Sequence, residues 1–173
     1  GRRSLEPDVR FAISARMPFP EDVDAECQYR REAWFIHDVL ELNAEEGRVV
    51  GWIDSTRLGP IVDAQVVRPG HPKHFPGAVM VQVTGTLGQL HATYLLGLRP
   101  SEGWSGFGTS IKHARFPNPG VIGPPVIATA VCAKARQYRG TWHLTYDIVF
   151  EQAGRHIYES RQTAAWFQME RPL

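Results

Sequence analysis

Val79, Met80, Val83, Leu87, Leu90, Tyr94 and Leu95 recur at three- and four-residue steps through Ala78 to Leu96, a stretch without Asp, Glu, Lys or Arg. That spacing predicts one long helix with its apolar face turned inward. Gly85, Gly88 and Ala92 fall on another face. Glycine inside a helix costs about 1 kcal/mol against alanine, so this stripe predicts a sheet packed closely on the helix backbone.

After the helix the period shortens to two, most plainly in His143-Leu144-Thr145-Tyr146-Asp147-Ile148-Val149-Phe150. Strands are predicted at Phe107 to Phe116, Val126 to Tyr138, Thr141 to Glu151 and Arg155 to Phe167. Turn formers separate them: Pro117-Asn118-Pro119-Gly120, Gly123-Pro124-Pro125, Arg139-Gly140 and Ala153-Gly154. Upstream, residues 33–43 and the β-branched run 48–55 flank Ala44-Glu45-Glu46-Gly47 and read as a hairpin. Residues 56–77 are dense in Gly and Pro, leaving room for no more than a short strand at Ile61 to Val67. Residues 1–25 hold Pro7, Pro18 and Pro20 and form an irregular lead-in to a single domain, 26–173. The expected fold is α+β, an antiparallel sheet wrapped around one long central helix.

Composition narrows the function. With 173 residues, 43% of them hydrophobic, the chain has enough apolar surface for its own core. The helix carries Gln82, Thr84, Thr86, Gln89, His91 and Thr93, which a lipid environment penalises, so no membrane span is expected. A net charge of +1 gives no strong field for nucleic acid. Local positive charge at Arg68, Lys73, Lys112, Arg115, Lys134, Arg136 and Arg139 could meet an acidic partner or a phosphate, or simply form a solvated sheet face. Gly1 to Pro7 lacks the apolar core of a secretion signal, and Cys27 and Cys132 are too few for a disulfide framework. A reducing cytoplasm is expected, with Cys132 a buried free thiol.

The candidate chemistry lies where the breakers end. His74-Phe75-Pro76-Gly77 places an imidazole just before the helix, whose first N–H groups have no intrahelical acceptor and can hold a developing negative charge. Imidazole titrates near neutrality, and amides fixed in advance stabilise an oxyanion by several kcal/mol. Asp63 and His71 lie nearby in the loop and read as ordinary surface groups; His91 reads as a satisfied interface histidine. Trp104 and Trp166 read as core or rim aromatics.

Those residues resemble the hotdog-fold dehydratases that act on 3-hydroxyacyl groups carried by acyl carrier protein. The stretches concerned are Val39-Leu40-Glu41-Leu42, Gly47-Arg48-Val49-Val50, His74-Phe75-Pro76-Gly77, Val79-Met80, Gln89, and Lys112 to Phe116 with Pro119-Gly120. The resemblance spans roughly residues 30–167. It implies a homodimer, or a higher oligomer built from one, with active sites between protomers. It makes His74 the base at the carbon next to the thioester carbonyl and aims the Gly77 amide at the enolate oxygen. No metal or cofactor is implied. The acyl group would arrive on the phosphopantetheine of acyl carrier protein or on coenzyme A.

One departure matters. The family projects an Asp or Glu from the central helix, four residues before a Gln. Counting back from Gln89 gives Gly85, counting forward from His74 gives Gly88, and no Asp or Glu occurs from Ala78 to Ser101. Gln82, Thr84 and Thr86 are the helix groups able to orient a water near a bound thioester, Gln89 matches the family and hydrogen-bonds across the site, and Gly85 stands at the vacated position. Three activities stay open: dehydration or hydration, hydrolysis by a hotdog thioesterase, and noncatalytic binding of an acyl chain or carrier.

Overall fold

A computed structural model describes residues 17–169. Six strands form one antiparallel sheet: β1 (Asp38–Asn43), β2 (Arg48–Ile53), β3 (Trp104–Arg115), β4 (Val126–Tyr138), β5 (Thr141–Gln152) and β6 (Arg155–Gln168). Their order is β1-β2-β4-β5-β6-β3. The central helix, Gly77–Tyr94, lies against one face.

Local chemistry sets the turns. Arg139 (φ 49) with Gly140 (φ 80), and Ala153 (φ 49) with Gly154 (φ 73), have the paired positive φ of two-residue hairpin loops. In the first hairpin the Asn43 side chain accepts the Glu46 N–H at 3.1 Å, and Arg48 pairs with Glu41 at 2.8 Å across the strands. Glu41 is held below its ordinary range chiefly by that guanidinium.

The core is the helix face and the inward strand positions. Val79, Met80, Val83, Leu87 and Leu90 are buried against Val49, Ala128, Ala130, Ile148 and Phe150. The sheet does wrap the helix, as its spacing predicts. Its beginning and end follow from Pro76, extended and unable to continue the helix backward, and from Gly97 with φ 73 just beyond the last turn.

Three readings need correcting. Ile61 to Val67 is not a strand: Gly59 and Pro60 start a short helix, Pro60–Asp63, because proline fits the first helical turn. The strand expected from residue 33 begins at Asp38, after a 3-10 turn at Arg31–Ala33. Cys132 is half-buried rather than buried, because the β4 bulge between Cys132 and Lys134 ends the alternation there.

Residues 1–16 of the lead-in lie outside the described residues. From Met17 the lead-in is irregular yet packed. The Met17 N–H bonds the Val39 carbonyl at 2.9 Å, and Val23 is fully buried. Glu26, also buried, accepts the Ser101 hydroxyl at 2.6 Å, the Ser101 N–H at 3.1 Å and Arg99 at 3.2 Å. No described helix is long and apolar enough to cross a membrane.

Candidate active site

His74 sits in the loop that enters the central helix, and its backbone is clamped. Gln65 receives the His74 N–H at 3.0 Å and donates its amide to the His74 carbonyl at 2.8 Å. His74 also bridges Val121, and the Phe75 N–H bonds Gly120 at 3.0 Å. Gly120 has to be glycine, since a Cβ there would stand 2.8 Å from that of Phe75. The half-buried His74 ring is tilted against the exposed His71 ring, centroids 5.2 Å apart.

At the helix start the amides of Gly77 and Ala78 receive no acceptor from the described residues, whereas those of Val79 and Met80 bond the Pro76 carbonyl. Gly77 leaves room for the Phe116 ring, 3.0 Å from where a Cβ would be. The imidazole and two free amides thus share one short segment. Asp63 is exposed and, among the described residues, its carboxylate reaches only Lys73, at 4.0 Å.

A cavity of about 460 Å³ opens between the middle of the helix and strands β3, β5 and β6. The helix contributes Val81, Gln82, Thr84, Gly85, Thr86, Gly88 and Gln89; β3 contributes Gly106 to Ile111; Gln28, Tyr29 and Trp34 close one side. None of its lining side chains is charged. The predicted helix residues Gln82, Thr84, Gly85 and Gln89 are therefore brought together. His74 and Gly77 do not line this cavity within one chain. Helical rise separates Gly77 from Gly85 by about 12 Å.

Gly85 does different work from the one its spacing suggests. A Cβ at Gly85 would meet nothing within 4 Å, so this glycine opens the cavity instead of admitting a strand. A Cβ at Gly88 would make ordinary contact with the Tyr146 ring, at 3.7 Å. Gln89 is tethered, donating to the Glu26 carbonyl at 2.8 Å.

Strand residues that periodicity alone did not single out complete the lining. Gln162 faces Thr84, its carbonyl oxygen 2.9 Å from the Thr84 hydroxyl, and its amide reaches the Tyr158 and Ser160 hydroxyls at 3.0 Å each. A glutamine in the inward register of Tyr158, Ser160 and Trp166 is the signal that marks it. The Tyr146 hydroxyl lies 3.0 Å from His91 Nδ1, in an edge-on ring contact. Burial pushes the Tyr146 hydroxyl well above its ordinary range and lowers His91 to about 4, so both stay neutral. His91 is satisfied inside the fold. Trp166 is buried beneath β3, and Trp104 is partly covered.

The sequence matches no family model and no curated protein. Solved structures do match. The thioesterase HI1161 from Haemophilus influenzae is 20% identical, covers 87% of this chain and 92% of its own, and has a TM-score of 0.56. A mutant of the thioesterase PA1618 from Pseudomonas aeruginosa is 16% identical over 96% of this chain and 98% of its own, at 0.57. This chain has the hotdog fold. The dehydratase heterocomplex ApeI:P from Xenorhabdus doucetiae is likewise similar, at 13% identity, 86% of this chain, 91% of its own and a TM-score of 0.57. The hotdog frame therefore accompanies both hydrolase and dehydratase names among its structural neighbours.

Proposed function

We propose that this chain is a dehydratase or hydratase of 3-hydroxyacyl thioesters carried by acyl carrier protein or coenzyme A, working as a homodimer in the cytoplasm. The observation that carries the reading is the placement of the His74 imidazole immediately before the free Gly77 and Ala78 amides. His74 removes the proton next to the thioester carbonyl, and the amides hold the enolate oxygen. The imidazolium so formed is itself an acid. It returns that proton to the departing 3-hydroxyl, which leaves as water, so the elimination balances without a helix carboxylate.

The dimer supplies what one chain lacks. His74 does not line the mid-helix cavity of its own chain, and among the described residues β3 has an open edge with Phe107 and Ile111 exposed. Pairing two β3 edges brings one protomer's His74 toward its partner's cavity. Gln82, Thr84 and Gln162 then orient the acyl group.

Hydrolysis is the second reading, supported by the thioesterase names of two structural neighbours. Incubation with a 3-hydroxyacyl thioester separates the two. An enoyl thioester as product is expected; free thiol without enoyl product would favour the thioesterase, and binding without turnover would leave a noncatalytic module.

A further inference from the structure

Residues 103–146 contain no Asp or Glu, yet they hold Lys112, Arg115, Lys134, Arg136 and Arg139 in a chain whose net charge is only +1. Three of these cations gather on the hairpin of β4 and β5, where it runs on past β2. The β2 pairing stops at Arg48 with Val131, and β4 continues exposed to Tyr138.

Beyond the bulge, Lys134, Arg136 and Tyr138 alternate onto one face, paired with Thr145, His143 and Thr141 of β5. Lys134, Arg136, Tyr138, His143 and Thr145 line a cleft of about 360 Å³. The cleft is on the opposite face from the helix cavity, because the adjacent residues Thr145 and Tyr146 line one each. It is a separate site.

Elsewhere the described arginines Arg31, Arg48, Arg99 and Arg161 sit in carboxylate pairs. Lys134, Arg136 and Arg139 have no carboxylate partner among the described residues; Arg136 and Arg139 instead lie over the Tyr138 ring, at 5.8 and 5.2 Å from its centroid. Tyr138 thus orients two guanidinium groups while leaving their charge uncompensated. Like charges held side by side repel, and a bound anion relieves that repulsion.

We propose that this cleft binds the phosphate group of a small soluble phosphoester. An ammonium, a guanidinium, an imidazole and two hydroxyls within one concave surface provide the donors a phosphate oxygen set requires, with the guanidinium able to bind two oxygens at once. The proposal does not depend on the thioester chemistry.

Calorimetric titration of the full chain with inorganic phosphate and with glycerol 3-phosphate, at fixed ionic strength, tests it. Saturable binding of one anion per chain is expected, weakened at least about tenfold in Lys134→Ala/Arg136→Ala and retained in His74→Ala. All the altered cleft side chains are exposed, so an unchanged melting temperature should accompany the loss. Arg136→Lys should bind with intermediate affinity. Absence of saturable phosphate binding would overturn the proposal, as would binding unaffected by the double substitution. A polyglutamate peptide that binds the hairpin without competition from phosphate would overturn it too, in favour of an acidic protein surface; a phosphoserine peptide that binds where the small esters do not would reject the small-molecule source.

Discussion

At one side of the sheet the chain lays its own lead-in on the edge: the Met17 N–H bonds the Val39 carbonyl of β1, and Val23 further along the lead-in is fully buried. At the other side β3 has no strand beside it among the described residues and presents Phe107 and Ile111 to solvent, 56% and 50% exposed. Open backbone groups flanked by apolar side chains are a template for another strand, whereas a covered edge is not. The uncharged cavity lies on the open side, under β3. The association and substrate access proposed above thus fall on the same side of the molecule, the side of the open β3 edge.

The largest expected effect compares two histidines. His74→Ala should lower turnover about 10²–10⁴-fold with little change in melting temperature, because a general base is lost and no core contact is. His37, near the covered edge, accepts the Asp54 N–H on Nδ1 at 3.0 Å. His37→Ala should cost about 1 kcal/mol of stability, read by urea unfolding, and leave turnover intact.

Charging the edges gives the next effect. Ile111→Lys should weaken self-association by about 2 kcal/mol, roughly thirtyfold in sedimentation equilibrium, and reduce activity with it. Met17→Lys should change neither. Equal effects from both substitutions would remove the distinction between the edges.

Two glycines of β3 sharpen it further. A Cβ at Gly106 would lie 2.2 Å from the Trp166 ring, so Gly106→Ala should destabilise the fold by about 1–3 kcal/mol in thermal unfolding. A Cβ at Gly108 would meet nothing within 4 Å, and Gly108→Ala should stay within about 0.5 kcal/mol.

The smallest effect is the acid dependence set by Glu26 of the lead-in. Burial would raise Glu26, but the Ser101 hydroxyl and amide and the Arg99 guanidinium outweigh it and hold the carboxyl below its ordinary range. The contribution is present above the unfolded carboxylate pKa and fades as pH falls through the lower folded value. Glu26→Gln should flatten that part of a stability–pH curve measured by denaturant titration.

Much of this arrangement is legible in the residues. The three- and four-residue spacing of Val79 to Leu95 marks the helix, and Arg139-Gly140 and Ala153-Gly154 mark the hairpins, because each is a local preference. Contacts distant along the chain are another matter. Nothing near Gln89 announces that Glu26 holds it, and nothing near Gly85 distinguishes a glycine that opens a cavity from one that admits a strand. The short helix at Pro60 is not legible, because an adjacent Gly and Pro look alike whether they break a strand or start a helical turn. The His74-Phe75-Pro76-Gly77 run marks the start of the helix in the sequence; that it does not line the cavity of its own chain depends on how the helix lies on the sheet, which no local preference encodes.

A mixed-dimer experiment addresses the central claim that His74 of one copy and the helix cavity of the other make one site. His74→Ala removes the base, and Gly85→Trp fills the cavity at a position where a side chain meets nothing. Each variant alone should be inactive. Random pairing of the two makes half of the dimers mixed, each with one intact site, so about a quarter of the original enoyl-forming activity should return. Mixed dimers that form but stay inactive would contradict the shared site.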